Sequence, residues 1–215
     1  MQQAIVIRSW LPERQQLMLF EQIHGRCTGF VQSSKTLWSP PQGSLIHYHE
    51  RRWKGRSIMQ SPELVALPAA PWSQDLYFIH LLSELMLQCL PEGDSAPELF
   101  QLCLMLYTPI EIAGEEELVV KLLFLCKFFA LLGIYPPEWC YHKSQGIQRL
   151  LREPATLFRE PPAADLVAES IAWLLGCVEA FPHVSLGKTL LMHIIRERNH
   201  NEQNNDDVTK LRVAC

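Results

Sequence analysis

The feature that most constrains this chain is a change of hydrophobic period at residues 67–72, "LPAAPW". Before it, apolar residues come in short runs rich in β-branched and aromatic side chains. These are "AIVIRSW" (4–10), "LMLFEQI" (17–23), "CTGFVQSS" (27–34), "SLIHYHE" (44–50) and "SIMQSPELVAL" (57–67). Turn signals separate them: Leu11-Pro12-Glu13, His24-Gly25-Arg26, Pro40-Pro41-Gln42-Gly43 and Lys54-Gly55-Arg56. After the change, apolar residues recur every three or four positions over 73–90, 96–112, 115–133, 144–152, 163–181 and 186–198. The pattern predicts an α+β protein, with an N-terminal five-stranded barrel followed by an all-helical domain. A closed or nearly closed barrel is expected because five short strands in an open sheet would leave two edges unpaired. The expected division is 1–70 for the barrel, 71–198 for the helices, and a polar, disordered tail over 199–215.

Helix ends are legible in the same way. Ser73 is placed to cap the first helix. Ser95-Ala96-Pro97-Glu98 reads as a capping box for the second, with Pro97 in the first turn where its missing N–H costs nothing. Glu115, Glu116 and Glu117 fall in the first turn of the third, favourable against the helix dipole, and Ser185 can cap the last. The stretch "LLSELMLQCLPEGDSAPELFQL" (81–102) is then a helix–turn–helix corner, in which Glu92 and Asp94 keep the turn wet.

Charge is divided unevenly. Residues 1–70 hold eight Lys and Arg against four acids, a balance of +4, so the remainder carries −8 of the overall −4. A basic front on an acidic body points to a polyanionic partner for the front, with scattered solvated charge as the plainer reading. Seven cysteines, an odd number and mostly set in apolar helical patterns, suit reduced thiols in a cytoplasmic protein better than a disulfide framework. The N-terminus lacks the apolar core of a signal peptide. The greasiest segment, Leu118–Ile134, is short for a membrane span and carries Lys121 and Lys127, so it is expected to be a core helix.

Catalytic signatures are missing from the sequence. Leu186-Gly187-Lys188-Thr189 has Gly-Lys-Thr without the upstream glycine or a preceding strand, and reads as a helix start. His47-Tyr48-His49 puts two imidazoles on one strand face, a spacing that can bind metal or simply be structural, and no third ligand is evident. Cys140-Tyr141-His142 is half of a zinc site without a second pair. No enzyme, catalytic residue, metal or cofactor is expected; a metal-dependent enzyme built on His47 and His49 is the remote alternative.

Arg51-Arg52-Trp53-Lys54-Gly55-Arg56 places four cations and an indole in six residues, with Trp10, Trp38 and Tyr48 near in sequence. Cations neutralise phosphates and aromatic faces stack on unpaired bases, so a five-stranded barrel with this surface is the oligonucleotide-binding (OB) pattern. A basic hairpin tip beside core tryptophans is the other reading. The residues expected to bind DNA are Arg8, Arg14, Arg26, Lys35, Arg51, Arg52, Trp53, Lys54 and Arg56.

Read in order, these features resemble the RecO family of recombination mediators. Phe20-Glu21-Gln22-Ile23-His24-Gly25-Arg26 is similar to the family's Phe-Thr-x-x-x-Gly-Arg turn, "LPEGDSAPELF" to its helical corner, and Leu131-Leu132-Gly133-Ile134-Tyr135 to its Leu-Gly-Tyr helix end. The resemblance covers residues 4–136, and 160–195 more loosely. It implies an OB fold on a helical body, binding to single- and double-stranded DNA, strand annealing, and RecA loading with RecR on DNA coated by single-strand binding protein (SSB), whose C-terminal tail would be a partner. No membrane is implied. The sequence departs from the family in three places. Its basic stretch is reduced to Val31-Gln32-Ser33-Ser34-Lys35, Cys140 lacks the other cysteines of a zinc insertion, and Leu122-Leu123-Phe124-Leu125 replaces Arg-Arg-Phe-Glu. The alternative these departures suggest is a RecO-like scaffold that binds protein partners with little DNA affinity.

Overall fold

The computed structural model describes residues 1–10, 15–31, 39–53, 56–70, 72–90, 92–109, 115–136, 164–181 and 188–196. Five strands, β1 (Gln2–Ser9), β2 (Gln16–Glu21), β3 (Gly25–Val31), β4 (Leu45–Trp53) and β5 (Arg56–Ala66), close into a barrel in the order β1-β2-β3-β5-β4. All pairings are antiparallel except β3 with β5, where Phe30 faces Ile58 and Val31 faces Met59. The five expected strands are therefore all present, and closure leaves β1 hydrogen-bonded to both β2 and β4. Ala4, Val6, Leu17, Leu19, Ile46, Tyr48 and Met59 fill the interior, following the period of two along each strand.

The run "AIVI" in β1 breaks that alternation because both of its faces are covered. Ala4 and Val6 belong to the interior, while Ile5 and Ile7 are equally buried on the other face. The first helix, α1 (Leu76–Cys89), packs on this strand. A second, α2 (Pro97–Leu104), follows the corner, and Phe100 on it meets Phe20 of β2 edge to face with ring centroids 5.4 Å apart. Edge-to-face aromatic pairs add about 1 kcal/mol beyond the area they bury.

Two caps differ from expectation. Helix α1 is preceded by a 3-10 turn at Trp72–Gln74, so the capping residue is Asp75, whose Oδ1 accepts from Phe78 N at 2.9 Å, and not Ser73. At α2 the N-cap is Ala96 without a side-chain bond; Pro97 is in the first turn as expected, but Ser95 Oγ donates to Gln22 O at 3.1 Å instead of closing a capping box. A nearby barrel carbonyl outcompeted the local cap. Ser185, the polar tail and the expected helix over 144–152 lie outside the described residues.

The chain divides into two compact units, Met1–Ile110 and Glu111–Cys215. The strand-to-helix change falls between Ala66 and Trp72, but the first unit runs past it and takes in α1 and α2. In the second unit, α3 (Glu115–Leu131) packs against α4 (Ala164–Ala180), and residues 188–196 form α5. Residues 121–129 of α3 are buried without a break, which accounts for the apolar run read as a core helix. Lys121 is among them and pairs with Glu117 one turn back at 3.1 Å. No helix among the described residues is long and apolar enough to cross a membrane.

Gly43 stands where β1, α1 and the loop before β4 converge. Its φ is +79°, a left-handed value, and a Cβ there would lie 2.6 Å from Ile79 Cγ2. Strained backbone of this kind costs about 1–3 kcal/mol, so Gly43→Ala is expected to lower the thermal midpoint of the first unit, measured by circular dichroism.

The thiols give a second expectation. Burial pushes Cys103 and Cys126 far above the ordinary thiol value of 9.0, Cys177 to about 12 and Cys89 to about 11. Unfolding exposes them to ionisation, so their contribution to stability is complete below pH 9.0 and is lost as pH rises through the folded values. Urea midpoints are expected to be level between about pH 7 and 8.5 and to fall from about pH 9 upward.

Candidate nucleic-acid interface

The strand register sorts the expected DNA-binding residues into two groups. Arg51, Arg52 and Trp53 end β4 opposite Ile58, Ser57 and Arg56 of β5, so four of them share the far end of one hairpin. Arg51 is exposed there. For Arg52, Trp53 and Arg56 only the backbone is described, and Lys54 at the tip lies outside the described residues. Arg8 belongs elsewhere. Ile5 pairs with Leu45, so Arg8 lies three residues beyond β4's start while Arg52 lies seven residues the other way. That separation is roughly 30 Å along the strand direction. Arg26 pairs with Phe20, which in turn faces Ile5, and so stands nearer the Arg8 level. Arg14 and Lys35 lie outside the described residues.

Arg8 and Arg26 are both engaged by carboxylates. Arg8 Nη2 contacts both carboxylate oxygens of Glu84 on α1, and its guanidinium stands 6.0 Å from the Trp10 ring centre. Arg26 donates to Leu87 O near the C-terminal end of α1 and reaches Glu92 Oε2 at 3.4 Å. A cation at a helix C-terminus completes carbonyls that the helix leaves open. Glu92, expected only to solvate the corner, also forms bridges with Gly25 and Arg26.

The β2–β3 turn is consequently a docking point. Gly93 N donates to Arg26 O at 3.2 Å and Ala96 N to Gln22 O at 3.3 Å, beside the Ser95 bond. Gly25 takes a φ of 58°, which lets the turn reverse tightly before β3. The segment 20–26 and the corner 90–100 each resemble a RecO motif in the sequence, and in the fold they touch each other.

Under the turn sits a buried carboxylate. Glu21, 5% exposed, accepts from the Tyr48 hydroxyl, from Cys27 Sγ at 3.1 Å and from His24 Nδ1 at 2.8 Å. Burial and the adjacent carboxylate push both the Tyr48 phenol and the Cys27 thiol well above their ordinary values, so each remains a proton donor. Tyr48 is thus committed to the core, and its ring is not a stacking surface for bases. Trp10 is only partly buried, while Trp38 lies outside the described residues. No local pattern marks Glu21 as internal, because its partners Cys27 and Tyr48 come from β3 and β4.

The imidazoles of the possible metal pair lie on β4, His47 partly buried and His49 exposed. Among the described residues no three His, Cys, Asp or Glu side chains come together to hold a metal; Cys140 and His142 lie outside them.

Residues 74–142 match the family model described as Recombination protein O C terminal. The match, over about a third of the chain, supports membership of the RecO family. The match begins inside the 3-10 turn before α1, includes the corner and α3, and is joined at its N-terminal side to the closed barrel, the OB-fold-plus-helices arrangement expected of RecO. No curated protein matches the chain. The matched segment connects the chain with the recombination and repair role of the RecO family.

Removing the Tyr48 hydroxyl leaves the buried Glu21 one donor short. Tyr48→Phe is expected to cost about 1–3 kcal/mol, the usual penalty for an unmet buried polar group, read from urea unfolding at pH 7.

Proposed function

We propose that this chain is a non-enzymatic, cytoplasmic recombination and repair mediator whose barrel binds single- and double-stranded DNA and whose helices hold protein partners. The observation that carries the reading is a basic hairpin, Arg51 to Arg56, at one end of a closed five-stranded barrel in a RecO-family chain. Backbone pairing of Trp53 with Arg56 and of Arg52 with Ser57 keeps cations and an indole within two residues of the hairpin tip. That combination suits the phosphates and unpaired bases of single strands. On this reading the chain assists strand annealing and cooperates with RecR and the SSB tail in loading RecA. The surface for the SSB tail is the least supported, since Leu122, Leu123 and Leu125 of α3 are buried in the positions where the family carries charge.

A second reading is favoured by the ion pairs of Arg8 and Arg26 with Glu84 and Glu92. With those two cations engaged and the basic stretch before Lys35 thin, the chain would serve as a RecO-like scaffold for proteins with little DNA affinity.

Fluorescence anisotropy with labelled single-stranded DNA at low salt separates the two. The mediator reading expects binding that weakens when Arg51, Arg52, Lys54 and Arg56 are all replaced by Ala. The slope of log affinity against log salt should flatten by about 0.7 for each phosphate that is no longer neutralised. No binding by the wild type favours the scaffold, and equal affinity after the fourfold replacement overturns the mediator reading.

A further inference from the structure

The Arg8–Glu84 ion pair joins the part of the barrel that would suit a nucleic acid to an acid from the helical hairpin. Arg8 is a β1 cation beside a partly buried indole, Trp10. Such a cation and ring are what a phosphate and its adjoining base would use. Glu84 occupies the cation instead, with both carboxylate oxygens on Nη2. The pair is reachable by solvent: the Arg8 side chain is 36% exposed and that of Glu84 21%. Partly exposed ion pairs contribute little to stability and exchange readily for other anions. Arg26 offers a contrast. It also donates to a main-chain carbonyl of α1, which a phosphate cannot replace, so it is a docking residue.

Resting on the DNA-binding reading above, we infer that Glu84 is an internal stand-in for phosphate, an autoinhibitory contact that withholds Arg8 and Trp10 from DNA. A nucleic-acid phosphate must displace the Glu84 carboxylate to reach Arg8. The chain therefore has a primary contact at the Arg51–Arg56 hairpin and a second, latched contact at Arg8, roughly 30 Å away along the strands. A strand long enough to span both would engage the second only by opening the latch. Opening the pair leaves in place the burial of Ile5 and Ile7 and the packing of α1 on β1.

The test is anisotropy with the full chain and a single-stranded oligonucleotide of about 30 nucleotides, on the wild type, Glu84→Gln, Arg8→Ala and the double variant. Glu84→Gln frees one cation, and is expected to bind about three- to tenfold tighter at low salt with a salt slope steeper by about 0.7. Arg8→Ala should bind like the wild type, and the double variant should return to wild-type affinity. Glu84→Met, which keeps the length of the stem, replaces Glu84→Gln should that variant not fold by circular dichroism. Wild-type binding with no tightening in Glu84→Gln, or a tightening that survives Arg8→Ala, overturns the latch while leaving the mediator reading in place. Absence of binding by every variant overturns both.

Discussion

Burying Glu21 sets the terms for the first compact unit. A carboxylate without water must be met by donors, and each donor here comes from a different part of the barrel: Tyr48 from β4, Cys27 from β3 and His24 from the turn between β2 and β3. The three bonds can form together only if the barrel has closed and the turn has folded back over its own strand. Geometry demanded by one buried charge thus becomes the geometry of the turn. The turn then offers Gln22 O and Arg26 O outward to the helical corner. Barrel and hairpin are coupled by main-chain bonds, supplemented by Phe20 against Phe100. A buried charge is seldom retained for stability alone, since an apolar replacement often does as well. Fixing one register of turn and corner gives this one a structural use.

That coupling explains which features of the fold were legible in the sequence. Strands are local patterns with period two, and turn residues at Gly25, Gly43 and Gly55 punctuate them; all five appear where those patterns fall. Helices α1 to α4 follow from the longer period in the same manner. Caps were less legible because they are a competition. Ser95 had a local role available and took a carbonyl from the barrel, 73 residues away in sequence. Asp75 displaced Ser73 when a 3-10 turn shifted the helix start. The role of Glu21 was illegible for the same reason: an isolated acid in a strand ordinarily faces solvent, and only long-range pairing brings β4 over it.

The candidate site was legible in part, and the division is electrostatic. A sum of charges over residues 1–70 counts Arg8 and Arg26 equally with Arg51, yet the fold assigns them different surroundings. Acids of the helical hairpin, outside the segment over which that sum was taken, stand beside Arg8 and Arg26, while Arg51 lies at the exposed end of β4. Charge asymmetry along a sequence predicts a surface field only where the oppositely charged segment does not pack back on the basic one. Here Glu84 and Glu92 do so. The basic front is consequently narrower than its composition suggests, and is centred on one hairpin.

The family resemblance has a similar physical basis. Of the motifs that carry it, the turn at 20–26 and the corner at 90–100 are two sides of one intramolecular contact, linked through Arg26, Gly93, Ser95 and Phe100. Such a contact constrains both sides at once: a turn without Gly25 or Arg26 would no longer fit the corner, and the corner would be without its anchor. Residues in it mark the scaffold and say little about what the scaffold binds. The described backbone of Arg51 to Trp53 pairs with β5 alone, so sequence change at that end of β4 bears on two strands. The contact that marks the scaffold and the exposed end of the hairpin are therefore under separate physical constraints, and change in one leaves the other in place.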